Sequence, residues 1–433
     1  MVEVGDPWRA DALDRAADRL DWAAKDAQKP SGNFDADYAS LCQVFAVPAH
    51  PCLASRRAIA TTEHEMKSPS STAARSSTIQ LRNYAVDLTT LRLMMEALKR
   101  SSDIDTLIFH NAGLSEASIA VLVEGLQHTT IRSLGLDYNT PLRTLSPSSS
   151  AVRPKAAEGS AEAAEELANE ASSDRNFAGL VREGSKLKAL SLRGNGIGDL
   201  EAAALAEAVE ENTVLCSLNL FDNKVTDVGA VAFAEVLRLN TVLRGLSLAR
   251  NSLSPTSAEA FGLLLAGGYE VLAPEQEKRA AADAKIAAQN KIAQDAMKKK
   301  KDAKVETRLP LSAVVFQTGG DGSSKAVAGG SRSLATLNLS ENRELGAGGA
   351  LVELLSRIVK ARQEEAEETE AGAGSGSGAT AIVLQELHLD RCQRYAEQEE
   401  EADGEGRDGI AVADPAAMLT AMSFALMPTK VVV

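Results

Sequence analysis

The clearest pattern of apolar and polar positions lies between residues 187 and 265, where a short motif occurs three times at a fixed interval, beginning at Leu187, Leu215 and Leu243. The copies open with LKALSLRGNGI, LCSLNLFDNKV and LRGLSLARNSL. Each copy has apolar residues at offsets 0, 3, 5 and 10 and an asparagine at offset 8, namely Asn195, Asn223 and Asn251. A fixed period of this length indicates a repeat architecture in which each unit stacks on its neighbours.

Weaker copies of the motif flank the three clear ones. They begin near residues 76, 104 and 131 on one side and near 334 and 384 on the other, so the motif predicts eight units. Asparagine recurs as Asn139 and Asn342, whereas Tyr84 and Ala112 occupy the asparagine slot of the first two units. We expect the repeat asparagines to bond backbone groups where the chain leaves each strand, since asparagine does so in turns.

Each unit predicts one strand followed by one helix. The LxxLxL portion alternates apolar and polar residues, and the segment after it spaces apolar residues at 0, 3, 4 and 7. Two of the helix sets are Ala202/Leu205/Ala206/Val209 and Ala230/Phe233/Ala234/Leu237. A strand and a helix within each period predict an α/β leucine-rich repeat solenoid, or horseshoe. Its parallel strands should line the concave face and its helices the convex face.

Insertions interrupt the repeats and set the predicted domain boundaries. They include a Ser/Pro/Ala-rich loop at about 142–160, a long polar helix of net charge +4 between Glu275 and Arg308, and acidic loops beyond residue 361. We also expect a last helix near Asp414 to Leu426 and an incomplete ninth strand in the closing TKVVV. The predicted parts are an N-terminal helical cap and linker at 1–75, repeats 1–6 at 76–266, a charged helical and Gly-rich insertion at 267–333, and repeats 7–8 with acidic insertions at 334–433.

Composition narrows the class of protein. The net charge of −14, of which residues 361–408 supply −10 through 14 acidic and 4 basic residues, argues against nucleic-acid binding. The acidic, polar N-terminus does not resemble a signal peptide, and no run of about 18 apolar residues is present. The four cysteines are scattered without metal or redox spacing. We therefore expect a soluble cytoplasmic protein with reduced thiols and no membrane association.

The outward strand positions are the candidate binding surface. An aromatic side chain beside arginines is typical of an interaction hot spot, and Tyr138, Arg193, Phe221 and Arg250 show this composition. We expect a protein partner to bind the concave face. The predicted partner-binding residues are Arg82, His110, Tyr138, Arg193, Phe221, Asp222 and Arg250.

No residue spacing indicates catalysis or metal binding. GNGIGD, from Gly194 to Asp199, resembles a phosphate-binding loop only superficially, because its glycines fall in the turn after a repeat strand. The five histidines lack metal-ligand spacing, and no nucleophile and base stand together in a recognisable motif. We therefore expect no catalytic residue, no metal and no cofactor.

The order of irregular and regular units resembles a known family. The unit LxxLxLxxNxI…GAxxLAxxL is similar to the ribonuclease-inhibitor-like class of leucine-rich repeats. Roughly residues 76–350 resemble the leucine-rich repeat-containing protein seventy-one family, in LDYNTPL, SLRGNGIGD, LRLNTVLRGLSLARNSL and the charged insertion after the sixth unit. The resemblance implies a non-enzymatic axonemal or ciliary binding protein. The loop before residue 187, the acidic loops and the unit at 384 depart from the family pattern.

Together these features predict a protein–protein interaction scaffold. We expect a monomer within a larger assembly, with an axonemal protein as partner if the family resemblance holds. Two alternatives stay open. Proteins that activate the nuclear-transport GTPase combine this repeat type with acidic segments, and an arginine such as Arg82 would then act on the nucleotide complex. Related solenoids also regulate actin.

Overall fold

The computed structural model describes Trp22 and residues 29–54, 77–139, 176–182, 184–299, 311, 314–318, 324–331, 333–370, 384–392 and 430–432. The chain divides into two compact units, Met1–Asn195 and Gly196–Val433. Several predicted features lie outside the described residues: most of the first N-terminal helix, the loop at 142–160, the acidic loop around 397–408 and the helix near Asp414 to Leu426.

The first unit contains four parallel strands, each paired with the next along the chain. Its elements are α1 (Phe34–Val44), β1 (Thr78–Arg82), α2 (Leu88–Arg100), β2 (Thr106–His110), α3 (Glu116–Leu126), β3 (Ser133–Gly135), a 3₁₀ turn (Phe177–Leu180) and β4 (Ala189–Ser191). The register aligns the repeat leucines, since Leu107 pairs with Leu134 and Leu134 with Leu190. These side chains are buried, which confirms the predicted strand positions of the first four repeats.

The second unit contains five parallel strands in the order β5-β6-β10-β11-β12. Its elements are α4 (Asp199–Glu211), β5 (Ser217–Asn219), α5 (Asp227–Val236), β6 (Gly245–Ser247), α6 (Pro255–Ala266), β7 (Gly267–Glu270), α7 (Ala273–Lys299), β8 (Val314–Thr318), β9 (Ser324–Gly329), β10 (Thr336–Asn338), a 3₁₀ turn (Ala347–Gly349), α8 (Ala350–Glu370), β11 (Glu386–His388) and β12 (Lys430–Val432). The predicted ninth strand is confirmed, because β12 pairs in parallel with β11.

The cores of both units follow the predicted apolar faces. Within α4, Ala202, Leu205, Ala206 and Val209 are all at most 1% exposed. Burial of a leucine-sized side chain contributes about 1.5–3 kcal/mol. Packing of the apolar face therefore stabilises these helices more than helix propensity does.

Helix α1, which lies outside the repeats, is fixed to the first unit by its capping interactions. Asn33 caps the helix by accepting from the Ala36 amide, and its own amide group donates to Asp103 at 3.0 Å. Asp103 also accepts from the Phe34 amide at 3.1 Å. The apolar residues of α1 pack beneath these bonds, where Phe34 and Leu41 are at most 1% exposed. Helix α1 thus lies within the segment predicted as the N-terminal helical cap, and it packs against α2 of the first repeat.

The insertion between α6 and β10 forms a small sheet of its own. Strands β7, β9 and β8 pair antiparallel in that order, and the long helix α7 precedes β8. The predicted polar helix is present, beginning at Ala273 rather than Glu275 and described as far as Lys299. The strands β8 and β9 were not predicted, because the Gly-rich sequence around them does not alternate clearly.

A second set of bonds joins successive helices of the second unit. Asp199, the first residue of α4, accepts from the amide and hydroxyl of Thr226 at 2.8 and 2.6 Å and from the Gly229 amide at 3.0 Å. Asp227, the first residue of α5, likewise accepts from Ser254 and Ser257. A carboxylate at one helix start thereby satisfies the unpaired N–H groups of the next helix start.

Candidate interaction surface

The repeat asparagines hold together the turns that follow the strands. Asn195 donates to the Leu136 carbonyl at 2.8 Å and accepts from the Asn139 amide at 2.9 Å. Asn342 donates to the Leu248 carbonyl at 3.0 Å and accepts from the Asn251 amide at 2.9 Å. Both side chains are fully buried. Each amide group therefore bridges its own turn to that of the preceding repeat.

The other repeat positions follow the same plan. Asn139 donates to Phe109 at 2.8 Å, Asn223 accepts from the Ile197 amide at 3.1 Å, and Asn251 accepts from the Val225 amide at 3.0 Å. In the last repeat Cys392 occupies this slot, and its thiol donates to the Leu339 carbonyl at 3.3 Å. Burial raises the pKa of Cys392 to about 11, so the thiol keeps the proton that it donates.

After eight of the parallel strands, the residue just before the repeat asparagine position has a left-handed backbone conformation, with positive φ. Non-glycine residues seldom adopt positive φ, because Cβ then approaches the backbone. Here seven of the eight are not glycine. The set and its φ angles are Asn83 (56°), Asn111 (50°), Tyr138 (55°), Gly194 (63°), Asp222 (58°), Arg250 (55°), Glu341 (62°) and Arg391 (60°). We call these eight residues the turn row.

Backbone pairing explains why the turn row adopts this conformation. The Asn111 amide donates to the Asp137 carbonyl at 2.9 Å, and the Arg250 amide donates to the Ser340 carbonyl at 2.8 Å. Each bond reaches the next strand just where the chain turns away from its own strand. Backbone hydrogen bonds therefore hold each turn, and the side chain of the turn-row residue is not needed for it and can contact neighbouring groups.

In the first unit, the turn row and its neighbours form an aromatic and amide cluster. The rings of His110 and Tyr138 meet edge to face with centroids 5.2 Å apart. The Tyr138 ring lies against Gly194, where a Cβ would come within 2.3 Å of the ring. The side chain of Asn111 donates to that of Asn83 at 3.0 Å. Tyr138 was expected to be exposed, but these contacts leave it only partly so.

In the second unit, the turn row alternates in charge. Asp222 pairs with Arg250 at 3.1 Å, and Glu341 pairs with Arg391 at 3.7 Å. The Arg250 side chain is 57% exposed and that of Arg391 is 70% exposed. Exposed pairs of this kind contribute at most about 1 kcal/mol to stability. Their guanidinium groups are accordingly accessible to a partner.

The structure brings some of the predicted partner-binding residues together. His110 contacts Tyr138, and the Tyr138 amide donates to the Arg193 carbonyl at 2.6 Å. Arg82 is exposed at the end of β1, where it lies opposite His110 in the register. Phe221, Asp222 and Arg250 belong to the second compact unit, and Phe221 is partly buried.

The left-handed turn row was not recognised from the sequence. The signal that could have revealed it is the residue type at the position before the repeat asparagine. Asn83, Asn111, Gly194 and Asp222 are residues that tolerate positive φ, and all four share this offset. The remaining members, Tyr138 among them, carry no such signal.

Among the described residues, no three histidine, cysteine or acidic side chains cluster as a metal site. No described helix is both long enough and apolar enough to cross a membrane. The four cysteines are free thiols, with Cys42 and Cys392 buried.

Comparison with known proteins agrees with the repeat geometry. A family model described as Leucine Rich repeat matches residues 185–206 and 211–234. Those two segments are leucine-rich repeats. They include β4, β5 and most of α4 and α5, together with Asn195 and Asn223. A comparison with curated proteins finds no match.

The leucine-rich repeats and the parallel strands with their helices fit the predicted α/β leucine-rich repeat fold. The total of eight repeats and the horseshoe curvature stay predictions.

Proposed function

We propose that the protein is a non-enzymatic scaffold that binds a protein partner through the turn row and the strand ends beside it. The left-handed turn row is the observation that carries the proposal. Holding a residue other than glycine, asparagine or aspartate at positive φ costs about 1–2 kcal/mol, and four of the eight positions accept that cost: Tyr138, Arg250, Glu341 and Arg391. Backbone strain concentrates where side chains serve a function. Glycine at these positions would remove the strain, so the side chains are retained for their contacts.

The chemistry of the surface supports a protein as the partner. Tyr138, Phe221 and Arg250 belong to the residue types enriched in protein interfaces. Phe221 directly precedes the Asp222–Arg250 pair in the second unit, so an apolar ring lies beside exposed charges. Leucine-rich repeats present such positions from successive strands, and a partner can contact several of them at once.

We further propose that these positions lie on the concave face of a horseshoe and that the protein is an axonemal component of the leucine-rich repeat-containing protein seventy-one family. The support is the order of irregular and regular units in the sequence. Fractionation of the source cell tests the location. Recovery with the isolated axoneme or its detergent-soluble matrix supports it, and absence from both contradicts it.

Affinity capture tests the binding surface. The intact chain is compared with a double variant, Phe221→Ala with Arg250→Ala, by quantitative mass spectrometry of captured proteins. A matched control, Leu200→Ala with Val228→Ala, changes side chains that are 64% and 68% exposed on α4 and α5. We expect the strand-end variant to lose its specific partner about tenfold or more, as hot-spot truncation does, and the control to keep it. Equal capture by all three proteins contradicts the proposal.

A further inference from the structure

The insertion of the second unit closes a narrow cleft against the end of α5. The cleft is open to solvent and narrow, with about 10 Å³ of free space, room for about one water-sized group. It lies where β7 and the end of β9 meet the loop between α5 and β6. The residues around it are Leu237, Arg238, Asn240, Thr241, Tyr269, Leu311, Gly329, Gly330 and Ser331. None of these described residues is acidic, so the one full charge among them is that of Arg238.

Arg238 is held against the Tyr269 ring with one of its N–H donors unused. Its Cζ atom lies over the Tyr269 ring, 4.2 Å from the ring centroid, so the two side chains make a cation–π contact. Such a contact uses the charge of the guanidinium and none of its N–H groups. Arg238 Nε is buried and has no hydrogen-bond partner within the described part of the chain.

The Tyr269 ring beneath Arg238 is held in place by a buried arginine. Arg279, only 3% exposed, donates to the Tyr269 hydroxyl at 2.9 Å and pairs with Glu275 at 3.7 Å. Burial raises the pKa of Tyr269, although the neighbouring Arg279 charge opposes the shift. The Tyr269 side chain is therefore a neutral, positioned surface on which Arg238 rests.

The remaining polar groups of the cleft divide into occupied and available ones. Asn240 is occupied, because it accepts from the Val242 and Leu243 amides at 2.8 Å and donates to the Val209 carbonyl at 2.6 Å. The hydroxyls of Thr241 and Ser331 stand at the cleft as possible further donors. Leu237 and Leu311 supply apolar wall.

We propose that this cleft binds a carboxylate group presented by an acidic peptide segment. A buried guanidinium N–H without an acceptor is costly, and a carboxylate matches the planar fork of arginine with two parallel hydrogen bonds. No acidic side chain is among the described lining residues, and Glu275, which acts on Tyr269, pairs with Arg279. The narrow free space excludes a large ligand and leaves room only for the tip of one side chain that enters from the solvent side. This site belongs to the insertion and is independent of the turn row.

Fluorescence anisotropy with a labelled tetraglutamate peptide tests the site on the full-length chain, with tetraglutamine as the neutral probe. Arg238→Gln and Lys278→Gln each remove one positive charge, and the Lys278 side chain is 66% exposed on the neighbouring helix. We expect Arg238→Gln to weaken tetraglutamate binding about tenfold or more. Lys278→Gln should weaken it less than about threefold. Arg238→Lys, which keeps the charge but loses the planar fork, should also bind weakly.

Three outcomes overturn the proposal. They are no preference of the wild-type chain for tetraglutamate over tetraglutamine, equal losses in the Arg238→Gln and Lys278→Gln variants, and full affinity in a folded Arg238→Lys variant. Circular dichroism of each variant establishes that it is folded. If Arg238→Gln does not fold, Arg238→Lys decides the question.

A further variant identifies the source of the carboxylate. The chain has an acidic tract of its own, in which Glu397, Glu399, Glu400 and Glu401 can be changed together to glutamine. Tighter tetraglutamate binding by this variant assigns the natural occupant to the chain's own tract. Unchanged affinity assigns it to an acidic segment of another protein. Both results support the carboxylate chemistry of the cleft.

Discussion

Replacing Asn342 with alanine should destabilise the second unit more than most single substitutions. The buried Asn342 side chain accepts from the Asn251 amide at 2.9 Å and the Leu253 amide at 3.3 Å. It also donates to the Leu248 and Leu339 carbonyls at 3.0 and 2.7 Å. Alanine removes all four bonds at once. Since water does not reach a site of 0% exposure, the two amides are left without this acceptor.

The expected magnitude follows from those two amides. Each buried donor that loses its partner costs about 1–3 kcal/mol. We therefore expect Asn342→Ala to lower the free energy of unfolding of the second unit by about 2–5 kcal/mol. Asn338 is the matched control, because it is partly buried and its side chain accepts only from the Ser340 amide at 3.0 Å among the bonds described. Asn338→Ala should cost about 0.5–1.5 kcal/mol.

Urea denaturation and amide hydrogen exchange measure the two consequences separately. Denaturation gives the free energy, and exchange should accelerate at the Asn251 and Leu253 amides before other parts of the unit respond. Asn342→Cys should recover part of the loss, because Cys392 occupies the equivalent slot and donates to a carbonyl through its thiol. The reasoning is refuted if Asn342→Ala costs no more than Asn338→Ala, or if exchange at those two amides is unchanged.

Two further predictions concern the turn row and the helix starts. Gly194→Ala should destabilise the first unit by about 1–2 kcal/mol, because φ is +63° and the new Cβ would lie 2.3 Å from the Tyr138 ring. In a double-mutant cycle, Tyr138→Ala should reduce the stability that Gly194→Ala costs. Strictly additive losses would contradict the steric reasoning. Burial acts to raise the pKa of Asp227, but hydrogen bonds from Ser254 and Ser257 outweigh it and lower the pKa overall. The contribution of Asp227 to stability should therefore be complete above the ordinary carboxyl pKa and lost as pH falls through the lower pKa of the folded state. Urea denaturation should show that the wild type has a larger free energy of unfolding than Asp227→Asn at pH 7, and that this difference becomes smaller in acid. A difference that becomes larger in acid would contradict the assignment.

The repeat strands could be predicted because their signal is local. Leu190, Leu218 and Leu246 recur at one interval and are buried in the observed strands. The helices could be predicted for the same reason, because the apolar residues of each helix recur at helical spacing within about a dozen consecutive residues. A short strand such as β12 was also predictable, because the closing TKVVV is rich in β-branched residues and follows the last predicted helix. Val431 pairs with Leu387 in the structure.

The insertion sheet and the cleft could not be predicted because they depend on distant residues. β7 pairs with β9, so Gly267 meets Gly329 across a long stretch of intervening chain. Glycine carries no side-chain pattern from which such a pairing could be inferred. Arg238 likewise appears in the sequence as one charge at the end of a repeat helix. Only the folded insertion places Tyr269 beneath it.

The turn row could be predicted only in part. Three of its members, Tyr138, Asp222 and Arg250, were predicted as outward partner-binding residues, but the left-handed conformation of the row was not predicted. The left-handed backbone results from the amide bonds to the next strand, such as that from Asp222 to the Ala249 carbonyl at 3.0 Å. A pairing partner in the following repeat therefore decides the local geometry.

The carboxylates at the helix starts carry a consequence for how such a chain can gain or lose length. Asp199 caps the start of α5, and Asp227 caps the start of α6, so α5 receives its cap from the repeat before it and supplies one to the repeat after it. A repeat is therefore not self-sufficient, since its first helical turn is completed by a neighbour's side chain. Removing or duplicating one whole period, such as the segment 215–242, leaves every supplier facing a recipient. A shorter deletion that removes Asp227 while keeping Ser254 and Ser257 leaves those two residues without their carboxylate, so one whole period is the shortest deletion of this kind that keeps every cap paired.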